Sequence, residues 1–223
     1  HGLDNKWEFV KKSAYSEIGI LDLRRELAGY EWYLSRTSNP MKIEVQNVEK
    51  NYFELKIEKI LCERPIKKKL ILCNYNYFLK AINLYKKIWL SKKMKIKYPV
   101  HGDFSLDGNI LFSNNKAILI DWEHFHENAS PLGFDVLYLI FESIKIISKN
   151  NIPSLNSLNL AMELLKYAFS EGVISSFYKG EVFKIFLKEQ DKISFVWNKQ
   201  VKKIPTFNFS NRQADAMVRY FKI

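Results

Sequence analysis

The spacing of apolar residues changes along this chain of 223 residues, and the change limits the folds that it can adopt. Residues 42–48 and 52–60 alternate between apolar and polar side chains across a short polar turn, which predicts a β-hairpin with one buried face. Residues 18–34 carry apolar side chains at helical spacing and predict an amphipathic helix. Residues 7–10 predict a short strand ending at two lysines. We therefore expect an N-terminal unit made of a strand, a helix and a hairpin.

The second part of the chain has a mainly helical pattern. Residues 75–90 predict one helix, and a buried strand is expected at residues 117–121, after a loop that opens at Pro99. From residue 134 onward the chain is expected to be helical almost to its end, most clearly at residues 134–148, 155–170 and 173–187.

The stretch from Cys62 to Pro65 is the predicted boundary between the two parts, because proline breaks regular structure. Residues 1–64 are expected to form a small lobe and residues 65–223 a larger, mainly helical lobe. The predicted fold class is α+β with two lobes, of which the N-terminal one is reduced. Apolar residues make up 47% of the chain, which is enough to supply both lobes with a buried core.

The composition favours a soluble cytoplasmic protein. No apolar run is long enough to cross a bilayer, and the first residues lack the regions of a signal peptide. Cys62 and Cys73 match neither a zinc motif nor a redox motif, so we expect two reduced thiols.

The net charge of +11 is compatible with a nucleic acid, an anionic membrane surface or a phosphorylated ligand as partner. The lysines are scattered, however, and the chain contains no helix-turn-helix, zinc or aromatic-basic RNA motif. We therefore expect no nucleic-acid partner. Peripheral contact with an anionic membrane surface stays open.

One polar segment carries the residue types that phosphoryl transfer requires. A His-Gly-Asp run ends at Asp103, Asn109 follows, and an Ile-Leu-Ile strand then ends at Asp121. Transfer of the terminal phosphoryl group of ATP needs a carboxylate that orients and deprotonates the attacking hydroxyl, and magnesium ions across the phosphates. Magnesium prefers hard oxygen ligands such as carboxylates and amides. Two adjacent loops of this chain supply that set.

These motifs resemble the catalytic and metal-binding motifs of aminoglycoside phosphotransferases, and the Ile-Asp-Trp-Glu run at residues 120–123 is similar to the Ile-Asp-Phe-Glu of choline kinases. The resemblance implies a protein-kinase-like fold, ATP and magnesium as cofactors, and a hydroxyl of a small molecule or sugar as acceptor. It also implies Asp103 as the catalytic base and Asn109 and Asp121 as magnesium ligands.

Two further residues take supporting roles by the same resemblance. His101 is implied to be a structural brace of the catalytic loop. The Pro-Leu-Gly-Phe-Asp run that ends at Asp135 resembles the family segment whose aspartate is buried and supports the backbone of that loop. The resemblance is specific over residues 95–145.

A kinase of this type also needs a strand lysine that holds the nucleotide phosphates and a helix glutamate that holds the lysine. The resemblance implies Lys11, at the end of the first strand, and Glu26, in the following helix, as this nucleotide-binding pair. Lys12 points to the opposite face of the strand and is the lesser candidate.

The sequence departs from the family pattern in two ways. The family places its Asn five residues after the catalytic Asp, whereas Asn109 follows Asp103 by six. We expect the loop to bulge, with Gly108 taking a backbone conformation that other residues resist, so that Asn109 still reaches the metal. The chain also offers no Gly-rich stretch to cover the ATP phosphates. A catalytically weak or inactive kinase-fold binding protein is therefore the alternative.

The same loop also matches part of a calcium-binding EF-hand. Asp103, Ser105 and Asp107 fall at positions 1, 3 and 5 of such a loop. Position 12 is Asn114 instead of the bidentate Glu, and neither flank predicts a helix. A third interpretation is a polar loop without chemistry, but it leaves Asp121 without a partner at the end of an apolar strand.

Overall fold

The computed structural model describes residues 8–38, 41–49, 51–60, 75–91, 96–106, 108–113, 116–147, 153–198 and 211–222. These residues form an α+β protein in which small antiparallel sheets lie among longer helices. Several sequence-based predictions concern residues outside these ranges: the first strand residue Trp7, the boundary from Cys62 to Pro65, and both cysteines.

The N-terminal elements are β1 (Phe9–Ala14), α1 (Glu17–Leu34), β2 (Ile43–Glu49) and β3 (Tyr52–Glu58). The strands form an antiparallel sheet with β3 at its centre. Helix α1 begins where Ser16 caps it, since the Ser16 hydroxyl accepts a hydrogen bond from the Gly19 N–H at 3.2 Å. The predicted helix and hairpin are confirmed. Strand β1 extends further than predicted, because it continues through both lysines to Ala14.

The alternating apolar residues of β3 identify the buried face of this sheet. Phe53, Leu55 and Ile57 are buried, and α1 contacts both β1 and β3. Lys12 lies directly opposite Leu55 in the antiparallel register, so its side chain emerges on the same, inner face. Lys11 lies opposite Lys56 and emerges on the outer face.

The rest of the described chain combines short strands with longer helices. Strand β4 (Tyr98–Val100) pairs antiparallel with β7 (His126–Ser130), and β5 (Ile110–Ser113) pairs antiparallel with β6 (Lys116–Leu119). Around them pack helices that bury most of their apolar side chains. The elements in chain order are α2 (Tyr75–Trp89), β4 (Tyr98–Val100), β5 (Ile110–Ser113), β6 (Lys116–Leu119), β7 (His126–Ser130), α3 (Phe134–Ile147), α4 (Leu155–Ser170), α5 (Val182–Asn198) and α6 (Asn211–Tyr220).

The helix predicted at residues 173–187 is wrong. This segment holds a turn of 3-10 helix at Ser176–Tyr178, and α5 begins only at Val182. Gly172 and Gly180 have φ angles of 68° and 94°, which interrupt a right-handed helix on both sides of the turn. The backbone N–H of Ser175 bonds to Leu132 instead of continuing a helical ladder.

Two of the short strands also differ from the predictions. Pro99 lies inside β4 instead of opening a loop. Strand β7, with the sequence His-Glu-Asn-Ala-Ser, was not predicted because it has no apolar alternation. Its partner β4 supplies the hydrogen bonds that its own sequence does not indicate.

An aromatic cluster lies where α1 meets the loop after β6. The Trp122 ring is fully buried, with centroids 5.5 Å from Tyr33 and 6.2 Å from Trp89. Gly29 permits this contact, since a Cβ on Gly29 would lie 2.6 Å from the Cβ of Trp122. The close approach holds α1 against the loop that carries Asp121.

No helix in the described part of the chain is both long enough and apolar enough to cross a membrane.

Candidate active site

The lysine that Glu26 binds is Lys12. Its Nζ lies 2.7 and 2.9 Å from the two carboxylate oxygens of Glu26 and 2.9 Å from Oδ1 of Asp121. The expected pairing of Lys11 with Glu26 is therefore wrong. Lys11 forms an ion pair with Glu54 on the outer face of the sheet, and its side chain is 56% exposed.

The two carboxylates around Lys12 keep it charged. Burial alone disfavours the ammonium, but the charges and hydrogen bonds of Glu26 and Asp121 outweigh burial and raise the pKa of Lys12. Glu26 is 1% exposed, so it needs this cation as a partner. The result is a fixed positive charge on the inner face of the sheet.

The loop around residue 102 is held from two sides. The Asp135 carboxylate accepts hydrogen bonds from the His101 and Gly102 backbone N–H groups, each at 3.0 Å. The His101 ring is bonded to the Ile120 carbonyl through Nε2 at 3.0 Å and to the Asp103 N–H through Nδ1 at 3.3 Å. Since Nδ1 accepts a hydrogen bond, the ring proton lies on Nε2. His101 thereby ties this loop to the end of β6.

Burial shifts the pKa of both supporting groups. It lowers the pKa of His101 to about 4, which keeps the imidazole neutral and able to accept at Nδ1. It raises the pKa of Asp135 to about 7, although the two backbone N–H groups oppose that shift. Both residues are completely buried, so they act on the loop backbone and not on solvent.

The side chain of Asn109 binds both the backbone and the side chain of Asp103. Its Nδ2 donates to the carbonyl oxygen and to Oδ2 of Asp103, each at 2.9 Å. The Tyr138 hydroxyl donates to Oδ1 of Asp103 at 3.1 Å. Asn109 is 7% exposed, so its amide lies against Asp103 and not in solvent.

The turn before Asn109 accommodates the six-residue spacing. The Ser105 carbonyl accepts hydrogen bonds from the N–H groups of both Asn109 and Ile110, at 3.2 Å each. The expectation that Gly108 takes a backbone conformation that other residues resist stays a prediction. The missing side chain of Gly108 avoids a close contact, since a Cβ there would lie 2.6 Å from Oγ of Ser105. Asp107 lies outside the described residues.

The β5–β6 hairpin brings Asn109 opposite Ile120, the residue before Asp121. The Ile120 N–H donates to the Asn109 carbonyl at 3.0 Å, which continues the ladder in which Ile110 opposes Leu119. Asp121 has a φ of 63°, a left-handed conformation that non-glycine residues rarely adopt. The Tyr30 hydroxyl accepts the Asp121 N–H at 3.0 Å. Such strained positions cluster at functional sites.

The side chains available here fit a magnesium ion only if a bound substrate and water supply its other oxygen ligands. Among the described residues, no group of three His, Cys, Asp or Glu side chains could hold a metal ion. Asp121 offers a carboxylate, 38% exposed, and Asn109 offers Oδ1, since its Nδ2 is bound to Asp103. Magnesium in proteins commonly keeps several waters and uses one or two protein ligands plus substrate phosphates. A site with protein ligands alone does not fit these residues.

The calcium-loop interpretation does not fit the surroundings of residues 103–114. An EF-hand loop lies between two helices. Here β4 precedes the segment, and the segment itself enters the β5–β6 hairpin. The expectation that neither flank is helical is confirmed. Asp107 and Asn114 lie outside the described residues.

Two tyrosines of the site were missed in the sequence. Tyr138 follows Asp135 by three residues, and Tyr30 follows Glu26 by four. Those spacings put each pair on one face of its helix, so helical periodicity could have identified both.

The described residues therefore group into two connected clusters. Lys12, Glu26 and Asp121 form one, and Asp103, Asn109 and Tyr138 form the other. The link from His101 to Ile120 joins them, and Lys11 lies outside both. Neither the protein-family models nor the curated proteins give a match to this chain.

Proposed function

We propose that the protein is an ATP- and magnesium-dependent kinase that phosphorylates a hydroxyl of a small molecule or sugar. One observation carries the proposal: a single ammonium, Lys12, contacts both a helix carboxylate, Glu26, and a loop carboxylate, Asp121. Catalysis of phosphoryl transfer depends mainly on positioning and on compensation of phosphate charge. A fixed cation beside a partly exposed carboxylate meets both requirements.

At the nucleotide end, Lys12 binds phosphate oxygens while Glu26 keeps its ammonium in place. Asp121 and Asn109 hold magnesium, which neutralises phosphate charge when bound. The left-handed backbone at Asp121, fixed by the Tyr30 hydroxyl, keeps that carboxylate beside Lys12.

At the acceptor end, Asp103 orients the hydroxyl and takes its proton. Each carboxylate oxygen of Asp103 already accepts one hydrogen bond, from Tyr138 or from Asn109. A carboxylate oxygen has a second lone pair, so one acceptor position on each oxygen stays available. His101 and Asp135 act only by holding the backbone of the loop.

The proposed architecture is a two-lobed protein-kinase-like fold. The sheet of β1, β2 and β3 with α1 forms the reduced lobe, and the helices after it form the larger lobe. Lys12 and Glu26 come from the first lobe, whereas Asp103, Asn109 and Asp121 come from the second. We place the protein in the cytoplasm, where ATP is available.

A catalytically weak or inactive kinase-fold binding protein is the second candidate. The observation that favours it is that Lys12 already occupies Oδ1 of Asp121, the carboxylate proposed to bind magnesium. A metal ion at that oxygen would lie close to the positive charge of Lys12 unless a nucleotide drew the ammonium towards its phosphates.

The experiment measures ATP binding by calorimetry with and without magnesium, and then ATP consumption with amino sugars, choline-like alcohols and neutral sugars as acceptors. Asp121→Ala is the loss variant, and Glu127→Ala, an exposed acid on β7, is the matched control. Magnesium-dependent binding with consumption supports the kinase. Binding without consumption supports the second candidate, and no binding of ATP, with or without magnesium, overturns the kinase.

A further inference from the structure

A cavity of about 560 Å³ lies beside the β4–β7 ladder, between these strands and α5. Its lining includes none of Lys12, Asp103, Asn109 and Asp121, so it is separate from the candidate active site. Ligand pockets in proteins have volumes of roughly 300–1,000 Å³. The cavity is therefore large enough for a small organic molecule.

The lining of the cavity carries one unbalanced positive charge. Lys97 lines the cavity and has no carboxylate partner among the described residues. Lys192 also lines it, but its charge is balanced by Glu189 at 2.5 Å. Burial lowers the pKa of His126, and the nearby charges of Arg25 and Lys97 lower it further against the opposing charge of Glu127. The positive charge of Lys97 in the lining favours an anionic group.

The lining also contains apolar side chains. Phe177 is 49% exposed, and Ile193 is 4% exposed. Pro131 adds a third apolar residue to the lining. The free energy of binding becomes more favourable when an apolar group of the ligand covers a large exposed aromatic side chain in a pocket lining.

We propose that this cavity binds a small organic anion, with a carboxylate or phosphate group at Lys97 and an apolar ring against Phe177 and Ile193. The charge of Lys97 selects the anion, and the apolar lining selects against inorganic ions that have no ring. The proposal does not depend on the kinase activity, because the two sets of residues are distinct.

Phenyl phosphate is the probe, titrated into the full chain without magnesium or nucleotide and followed by calorimetry and by NMR shifts. Inorganic phosphate lacks the ring, benzyl alcohol lacks the charge, and benzyltrimethylammonium reverses it. We expect phenyl phosphate to bind more tightly than all three. Equal affinity for inorganic phosphate, or no measurable binding of phenyl phosphate, would overturn the proposal.

Variants locate the bound probe. Lys97→Ala and Phe177→Ala should each weaken phenyl phosphate binding on the order of five- to tenfold, since each removes one half of the recognition. Lys184→Ala, an exposed lysine elsewhere on α5, is the matched control and should leave the affinity unchanged. Lys12→Ala should also leave it unchanged, which separates this cavity from the candidate active site. Loss of binding in Lys12→Ala, with unchanged affinity in Lys97→Ala, would assign the probe to the active site instead.

Discussion

The ammonium of Lys12 lies 2.9 Å from Oδ1 of Asp121, although 109 positions separate the two residues along the chain. The same ammonium is held by Glu26, so three elements (β1, α1 and the loop after β6) meet at one nitrogen atom. This contact puts Lys12 beside Asp121, whereas Lys11 pairs with Glu54 on the outer face of the sheet.

Replacing Lys12 by Met should weaken magnesium-dependent ATP binding on the order of tenfold or more, because a charge-assisted contact to phosphate is lost. Lys11→Met is the matched control, since Lys11 carries the same charge one position earlier but pairs with Glu54 on the outer face. It should stay within roughly twofold of the wild type. Calorimetric titration of ATP measures both. A larger loss in Lys11→Met than in Lys12→Met would contradict the assignment.

Replacing Asp103 by Asn should leave ATP affinity nearly unchanged and reduce turnover on the order of a hundredfold or more, because the proton acceptor is removed. Asp215→Asn, an exposed site on α6, is the control. Steady-state kinetics at saturating acceptor separate turnover from binding. Unchanged turnover in the Asp103 variant would remove this residue from the role of base.

Replacing Asn109 by Ala should reduce turnover strongly, because it removes two hydrogen bonds to Asp103 and the amide oxygen proposed for magnesium. Asn128→Ala, an exposed asparagine on β7, is the control. Deleting Asp107 restores the five-residue spacing and should keep or raise activity. Unchanged turnover in Asn109→Ala would remove Asn109 from the role of magnesium ligand.

The contribution of the buried His101 to the stability of the protein should fall as the pH falls from about 6.5 to about 4. The pKa of His101 is lowered to about 4 in the folded protein from an ordinary value of 6.5. Between these values the unfolded chain binds more protons, so the stability contribution is complete above pH 6.5 and is lost on acidification. The loss is about 3 kcal/mol by pH 4.

Urea unfolding of the wild type and of His101→Gln at pH 7 and at pH 4 measures this contribution. The pKa of Asp135, raised to about 7 by burial, has the opposite effect, since its protonated form gains stability as the pH falls. Asp135 is present in both proteins, so the difference between the two pH dependences reports His101 alone. Identical pH dependences would show that the His101 ring is not buried as a neutral group.

The amino-acid sequence by itself determined most of the secondary structure. The helix α1, the β2–β3 hairpin and the helices α2 and α4 follow from local periodicity, which needs no information from distant residues. The residue types from position 101 to Asp121 also predicted a loop and a strand in the observed order. Local patterns were sufficient there because each element buries one regularly spaced face.

The tertiary structure alone decided which side chains meet. Lys11 and Lys12 are neighbouring lysines with the same chemistry, so the sequence does not distinguish them. The pairing of β1 with β3 puts Lys12 opposite Leu55 and therefore on the inner face. A shift of one position would reverse the two lysines. Strand β7 forms because it pairs with β4. The segment after Gly172 is not helical because the Ser175 N–H donates a hydrogen bond to the Leu132 carbonyl. Register and long-range hydrogen bonds depend on partners far along the chain, so no local pattern contains them.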